Sequence, residues 1–359
     1  DFGPGFLDRL YDETEGNALF ALETLKLLLL DRAISRKDNA WILSLPISRI
    51  RIPDKVKDVL ARRLARLGEE DRRILELASV IGDTFESSTL QEILSLNRLQ
   101  LLQALSSVER IHSLIEGGES VYRFTHSKVR DVIYDQLSPG LRQEYHSLVA
   151  EWIERKYLAP EKLDEVAAVL ANHFLLGHRW EKALAYFAIA GDMAMQIHAH
   201  EEAIQSYSHA LEALGLVERT LPIEIGSSLH ERNAMAALAS GKINDAMKAF
   251  DSLAEAVRAA GDQKWYGKAK FLHGWASFWN KDLETTLQDC AESLTIARRV
   301  GDKTLEGRSL YLTGTSLLAK GLSEQAKAYL DDSLRISREA GDKVAESQVL
   351  VVQLMEGLH

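Results

Sequence analysis

The sequence of 359 residues holds one cysteine, Cys290, so no internal disulfide can form and nothing asks for an oxidising compartment. Its six prolines are scattered, and no stretch is Ser/Gly-rich or low in complexity, which excludes loose linkers between segments. Long apolar runs are missing too. The longest, Leu19 to Leu30, is too short to cross a bilayer and carries Glu23 and Lys26. Nothing ahead of it reads as a signal peptide, so a cytoplasmic protein with no membrane partner is expected. Positive charge is in deficit: 43 Lys and Arg stand against 53 Asp and Glu, a formal charge of −10. That excludes bulk attraction to nucleic acid and confines any such contact to a local patch. No G-x-x-x-x-G-K-[ST] occurs; the SGKI at Ser240 to Ile243 lacks the upstream glycine and the hydroxyl after lysine. With neither phosphate cradle nor magnesium-holding hydroxyl, the chain is expected to bind no ATP tightly. No Ser/His/Asp, Cys/His or paired-carboxylate constellation can be assembled either, so an enzyme with an unrecognised site is the least favoured reading.

What is present is a globular composition, 46% hydrophobic and 27% charged, over a length that suggests two or three domains. The tail half is periodic. Gly-Asp pairs begin at Gly261, Gly301 and Gly341, forty residues apart. Between them a small residue recurs at Ala234, Gly274 and Gly314, and another twelve positions later at Ala246, Thr286 and Ala326. A helix, a tight turn, a second helix and a glycine suited to the left-handed C′ position make a helical hairpin. One hairpin cannot bury its apolar stripe alone, so hairpins of fixed period stack into a solenoid. The frame resembles the tetratricopeptide repeat, with turn glycines at Gly241 and Gly321; the middle unit departs from it with Lys281 and Thr286. Upstream, Gly191, Ala203 and Tyr207 repeat the frame, and Ala183 with Phe187 gives another turn, which starts the array near Pro160. The segment after Asp342 supplies the first helix of a further unit.

The front half has another rhythm. Helices are expected over Pro53–Leu67, over Glu69 to Gly82, over Ser87–Leu94 and over Asn97–Ile111. The stretch His112 to His126 alternates around Gly117-Gly118 and reads as a β-hairpin. Helices followed by a hairpin give the order of a winged helix. Two more helices, the second opened by Ser138 and Pro139, lead into the array.

The succession TEGNALFALETLKLLL, IPDKVKDVLARRLARLGEEDRRILELASVIGDTFE, YRFTHSKVRDVIYDQLSPGLRQEYHSLVAEWIE and then the repeats resembles the signal-transduction ATPases with numerous domains, of the maltose-activator or cyclase-associated type. Thr14, Gly16 and Asn17 match that family's lid turn, with Ala18 where a proline usually stands. The resemblance implies a helical lid fragment over 1–45, a winged-helix domain with connecting helices over 46–158 and a tetratricopeptide-like α-solenoid over 159–359, cut within its last repeat. It also implies a P-loop ATPase core upstream of the opening DFGPGF, and ATP and Mg²⁺ belong to that core alone. The fold class expected is therefore mainly α. The role implied is non-catalytic and regulatory: the solenoid binds a protein, peptide or small-molecule effector and relays it to the ATPase core.

Repeat register picks out a partner-binding strip. Phe271, Trp275, Phe278 and Trp279 fall on groove-facing positions, whereas Lys270, His273 and Ser277 fall on positions normally packed. Either the groove carries an aromatic platform or the helix is rotated and the aromatics are core. In neighbouring units the groove positions hold Arg308, Tyr311 and Leu318, and Glu231, Met235 and Leu238, with Lys268 beside them. The histidines of HAHEE, His198 and His200, lack a zinc spacing and read as a solvated turn. His126 reads as a capping residue. Arg62, Arg63 and Arg66 belong to a basic run that would serve a DNA-binding regulator, the alternative reading. They are expected instead to be solvated or interdomain charges, because Leu99 to Glu109 lacks a base-reading face.

Overall fold

The computed structural model describes residues 5–14, 16–37, 40–44, 56–118, 120–157, 160–219 and 221–357. They form two compact units, 1–156 with 176–178, and 157–175 with 179–359.

In the first unit, α1 (Phe6–Thr14) and α2 (Ala18–Leu30) pack through Phe6, Leu10 and Leu28 against Ile34. Asn17 caps α2 by accepting a hydrogen bond from the Phe20 amide at 3.0 Å. Strands β1 (Ile34–Lys37) and β2 (Ala40–Leu43) form an antiparallel pair not expected from the sequence pattern. Helix α3 (Val56–Leu64) joins α2 through Phe20, Leu27 and Val59. The expected start of this helix at Pro53 lies outside the described residues. Then come α4 (Glu69–Ile81), β3 (Thr84–Glu86), α5 (Ser87–Leu94), α6 (Arg98–Ser107), a π turn (Val108–His112), β4 (Ile115–Gly118) and β5 (Val121–Phe124). The sheet order is β3-β5-β4, all antiparallel. The hairpin turn is not at Gly117-Gly118: both glycines are paired in β4, opposite Tyr122 and Val121. A Cβ on Gly117 would lie 2.5 Å from the Val121 carbonyl oxygen, so the glycine serves close strand approach rather than reversal. Strand β3 escaped the sequence reading because three residues between helices are too few to show alternation. Helices α7 (Ser127–Gln136) and α8 (Pro139–Lys156) complete the unit.

The second unit is an α-solenoid of ten helices among the described residues: α9 (Pro160–Leu176), α10 (Trp180–Gln196), α11 (His200–Leu216), α12 (Ile223–Ala239), α13 (Ile243–Ala259), α14 (Gln263–Trp279), α15 (Leu283–Val300), α16 (Lys303–Ala319), α17 (Ser323–Ala340) and α18 (Lys343–Glu356). From α13 onward each helix begins twenty residues after the last, so a hairpin takes forty. The register is kept by one left-handed residue per junction, at Gly241, Gly261, Lys281, Gly301, Gly321 and Gly341, all with φ between 63° and 80°. Lys281 adopts the glycine conformation although it has a Cβ. The small residues expected to let helices approach do so: a Cβ on Gly314 of α16 would sit 2.8 Å from Leu330 Cγ of α17. Buried Ala234, Ala246, Phe250, Leu272, Ala276, Cys290 and Leu312 run through α12–α16 as one core. The first helices of successive hairpins, α12, α14, α16 and α18, also touch one another in turn, more closely than the second helices do. That inequality puts the first helices on the inner face of the stack.

Candidate binding groove

The inner face is organised by the aspartates of the recurring Gly-Asp pairs. Each glycine ends one helix in the left-handed region, and each aspartate caps the next. Asp262 accepts from the Trp265 amide at 3.0 Å, Asp302 from Leu305 at 3.0 Å and Asp342 from Ala345 at 3.1 Å. An N-cap carboxylate satisfies an orphan amide and complements the positive helix end. This fixes the first turns of α14, α16 and α18 in a common orientation, and with them Trp265 and Leu305.

Along the N-terminal parts of α12, α14 and α16 lies a cavity of about 660 Å³. Trp265, Phe271 and Leu272 of α14 and Leu305 of α16 form its apolar lining; Glu224 and Glu231 of α12, Lys264 and Lys268 of α14, Thr304 and Arg308 of α16, and the capping Asp262 and Asp302 form its polar one. Four residues expected in the groove therefore meet at one cavity: Glu231, Lys268, Phe271 and Arg308. Phe271 is only 6% exposed and contributes a floor rather than a free platform. Lys268 Nζ sits 2.7 Å from Glu231 Oε2 and 4.5 Å above the Trp265 ring. Arg308 Nε donates to Asp342 Oδ2 at 2.8 Å. Burial opposes ionisation of Asp342, but the bonds from Arg308 and from the Ala345 amide outweigh it and hold its pKa below the usual range.

The other expected residues are not gathered at this cavity. Trp275 and Phe278 are half-buried and pack with Leu238 against the α12–α16 core, while Trp279 is 58% exposed. Tyr311 and Leu318 are half-buried, burial pushing the Tyr311 hydroxyl upward, and Met235 is exposed. Sequence reasoning missed Trp265, Leu272 and Leu305. For Trp265 and Leu305 the signal was available in the Gly-Asp pairs, since the third residue after a capping aspartate has a fixed place in the first turn.

Lys270, His273 and Ser277 are packed, as register required, because an acid meets two of them. Asp289 of α15 is buried and pairs with both Lys270 and His273; His273 Nε2 also lies 3.6 Å from Asp251 Oδ2 of α13. The hydrogen bond to Asp289 raises the His273 pKa more than burial lowers it.

Of the two roles expected for Arg63, the solvated one is excluded and the interdomain one is left. Arg63 is 1% exposed, ion-paired with Glu23 of α2, which belongs to the segment 1–45, and donates to the His112 carbonyl. Arg66 pairs with Asp31. The enclosed Arg63 presents nothing to a phosphate; Arg66 is exposed but paired, and Arg62 is exposed without such a pair. Of the wider basic run, Arg49, Arg51 and Lys55 lie outside the described residues. His126 does cap α7, accepting from the Lys128 amide at 3.1 Å. His198 occupies a left-handed turn with φ 59°, and its ring centroid is 5.9 Å from that of His200. Among the described residues no three His, Cys, Asp or Glu side chains are grouped to hold a metal ion, and no helix is long and apolar enough to cross a membrane.

No family model matches the chain, and no curated protein does. Among solved structures, it is similar to the signal transduction ATPase with numerous domains carrying a tetratricopeptide repeat sensor from Pyrococcus horikoshii, at 16% identity and a TM-score of 0.35, over 98% of this chain and 54% of that one. It thus spans about half of that protein's length. Aspartyl phosphate phosphatase F from Bacillus subtilis is similar at 12% identity and a TM-score of 0.47, over 83% and 72% of the two chains. PlcR of Bacillus thuringiensis, solved with the peptide PapR7 and DNA, is similar at 12% identity and a TM-score of 0.43, over 72% and 97%.

Proposed function

We propose that the chain is a regulatory, non-catalytic part of a signalling ATPase, in which the solenoid grips a protein or peptide segment in the groove between α12, α14 and α16. The observation that carries it is the 660 Å³ cavity on the inner helices, floored by Trp265, Phe271 and Leu305 and rimmed by charges of both signs. An apolar floor with convergent polar groups is the chemistry of a binding cleft, and nothing at it resembles a nucleophile with its base. In this reading the segment 1–45 is the lid of an upstream ATPase core, 46–158 is a winged helix and 159–359 is the sensor. Occupancy of the groove shifts the ATPase between two arrangements by its differential affinity for them. A DNA-reading role is not favoured, because Arg63 and Arg66 are engaged with Glu23 and Asp31.

The test is selection of displayed random dodecapeptides on the chain, followed by binding of the selected peptides to Thr304→Trp. Thr304 is exposed at the rim, so tryptophan there fills the groove without removing packing. Peptides that bind the parent chain and not the filled variant, with unchanged circular dichroism, are expected. Failure to select any peptide, or equal binding to the filled variant, would refute the proposal.

A further inference from the structure

Charges on the inner face are tied from one first helix to the next. Arg232 of α12 reaches Asp192 of α10 at 2.9 Å, Lys268 of α14 reaches Glu231 of α12 at 2.7 Å, and Arg308 of α16 reaches the cap Asp342 of α18 at 2.8 Å. No such pair among the described residues joins α14 to α16, and the cavity is located there. Lys268 and Arg308 both line it and are forty residues apart, so they occupy the same turn of consecutive first helices. Both keep unused donors. Lys268 gives one of its three to Glu231, and Arg308 uses only Nε–H, leaving its two terminal nitrogens. The carboxylates nearby are committed: Asp262 and Asp302 cap helices, and Glu231 holds Lys268. Glu224, in the first turn of α12, is the one uncommitted acid of the rim, and Lys264, forty residues on in the first turn of α14, adds a third cation.

We infer that the occupant of this groove is an acidic segment whose carboxylate side chains bridge Lys268 and Arg308. Each of these cations already holds one carboxylate, and the bridge uses the donors that those pairs leave free. Apolar side chains near the acids then lie against Trp265 and Leu305. An acidic occupant completes the missing link between α14 and α16 and makes the two helices hold one another.

The inference rests on the groove reading above, and its test separates the two. The probes are fluorescein-labelled dodecapeptides with two glutamates flanked by leucines, the same peptide with glutamines in their place, and a lysine version. Each is made with a free and an amidated C-terminus. The amidated glutamate peptide is expected to bind at 50 mM salt, to weaken about tenfold in Arg308→Ala and in Lys268→Ala, and to lose affinity steeply with salt. Arg308→Lys, which keeps the charge, should retain most of the binding and guards against loss of folding in the alanine variant. Binding that needs the free C-terminus would overturn the side-chain assignment. Lysine or neutral peptides that bind and are blocked by Thr304→Trp would overturn the acidic specificity while leaving the groove intact.

Discussion

His273 Nδ1 lies 2.5 Å from Asp289 Oδ2, closing the α14–α15 interface directly behind the groove. Lys270 shares the same carboxylate, and Asp251 approaches from α13, so one buried acid organises two basic groups of α14. Asp289 is matched in place by the small Gly274, where a Cβ would come within 3.1 Å of its own Cβ.

This pair makes stability depend on pH. The bond to Asp289 raises the folded-state pKa of His273, against burial and the Lys270 charge. A raised pKa means that the stabilisation is complete below the unfolded value, about 6.5, and is lost as pH rises through the folded value. The thermal midpoint of the parent chain should therefore fall more between about pH 6 and 8 than that of His273→Gln. Parallel pH profiles would show that the imidazole carries no linked proton.

At Glu23–Arg63 both members are enclosed, so Arg63→Met leaves the buried Glu23 with only the part-exposed Lys26, 3.0 Å away, in place of two cations. Arg63→Met should cost about 3–5 kcal/mol in urea unfolding of the first unit, and Glu23→Gln with Arg63→Met should recover most of it. A single variant no worse than the double would mean that the pair is solvated after all.

Lys281 has φ 63° where Gly241 and Gly321 stand at 80° and 77°. A Cβ in that region is strained, so Lys281→Gly should stabilise by about 0.5–1 kcal/mol after the entropy lost by glycine is offset. Gly321→Ala should destabilise by about 1 kcal/mol. Chemical denaturation followed by circular dichroism measures both, and opposite signs are required.

Two helical glycines should respond oppositely to alanine. Nothing lies within 4 Å of a Cβ at Gly215 in α11, so Gly215→Ala gains helix propensity, about 0.5–1 kcal/mol. At Gly314 the same change meets Leu330 at 2.8 Å and should cost about 1–3 kcal/mol by overpacking, which exceeds the propensity gain. Thermal midpoints that moved together would indicate that the α16–α17 contact yields freely.

Much of the second unit was legible because its forces are local and repeated. A left-handed glycine, a capping aspartate and small residues at fixed offsets each act within a few residues, and a period of forty makes them visible even where Lys281 and Thr286 break the pattern. In the first unit the helices were legible, but β3 was not: a three-residue strand exists only because Phe85 finds Tyr122 across the sheet. The strip of groove residues was half legible. Register placed Lys268 and Arg308 on one face, yet could not say that Phe271 is covered or that Trp279 is bare.

Periodicity and cap chemistry alone determined that the tail is a stack of helical hairpins and where each one turns, since those preferences belong to neighbouring residues. Tertiary structure alone decided which charges meet. Arg63 is enclosed by Glu23 forty residues earlier in the chain, and Asp289 by Lys270 and His273 of a different helix. A charge looks the same in a sequence whether it faces water or a buried partner, and the cost of desolvation is set only when the helices come together.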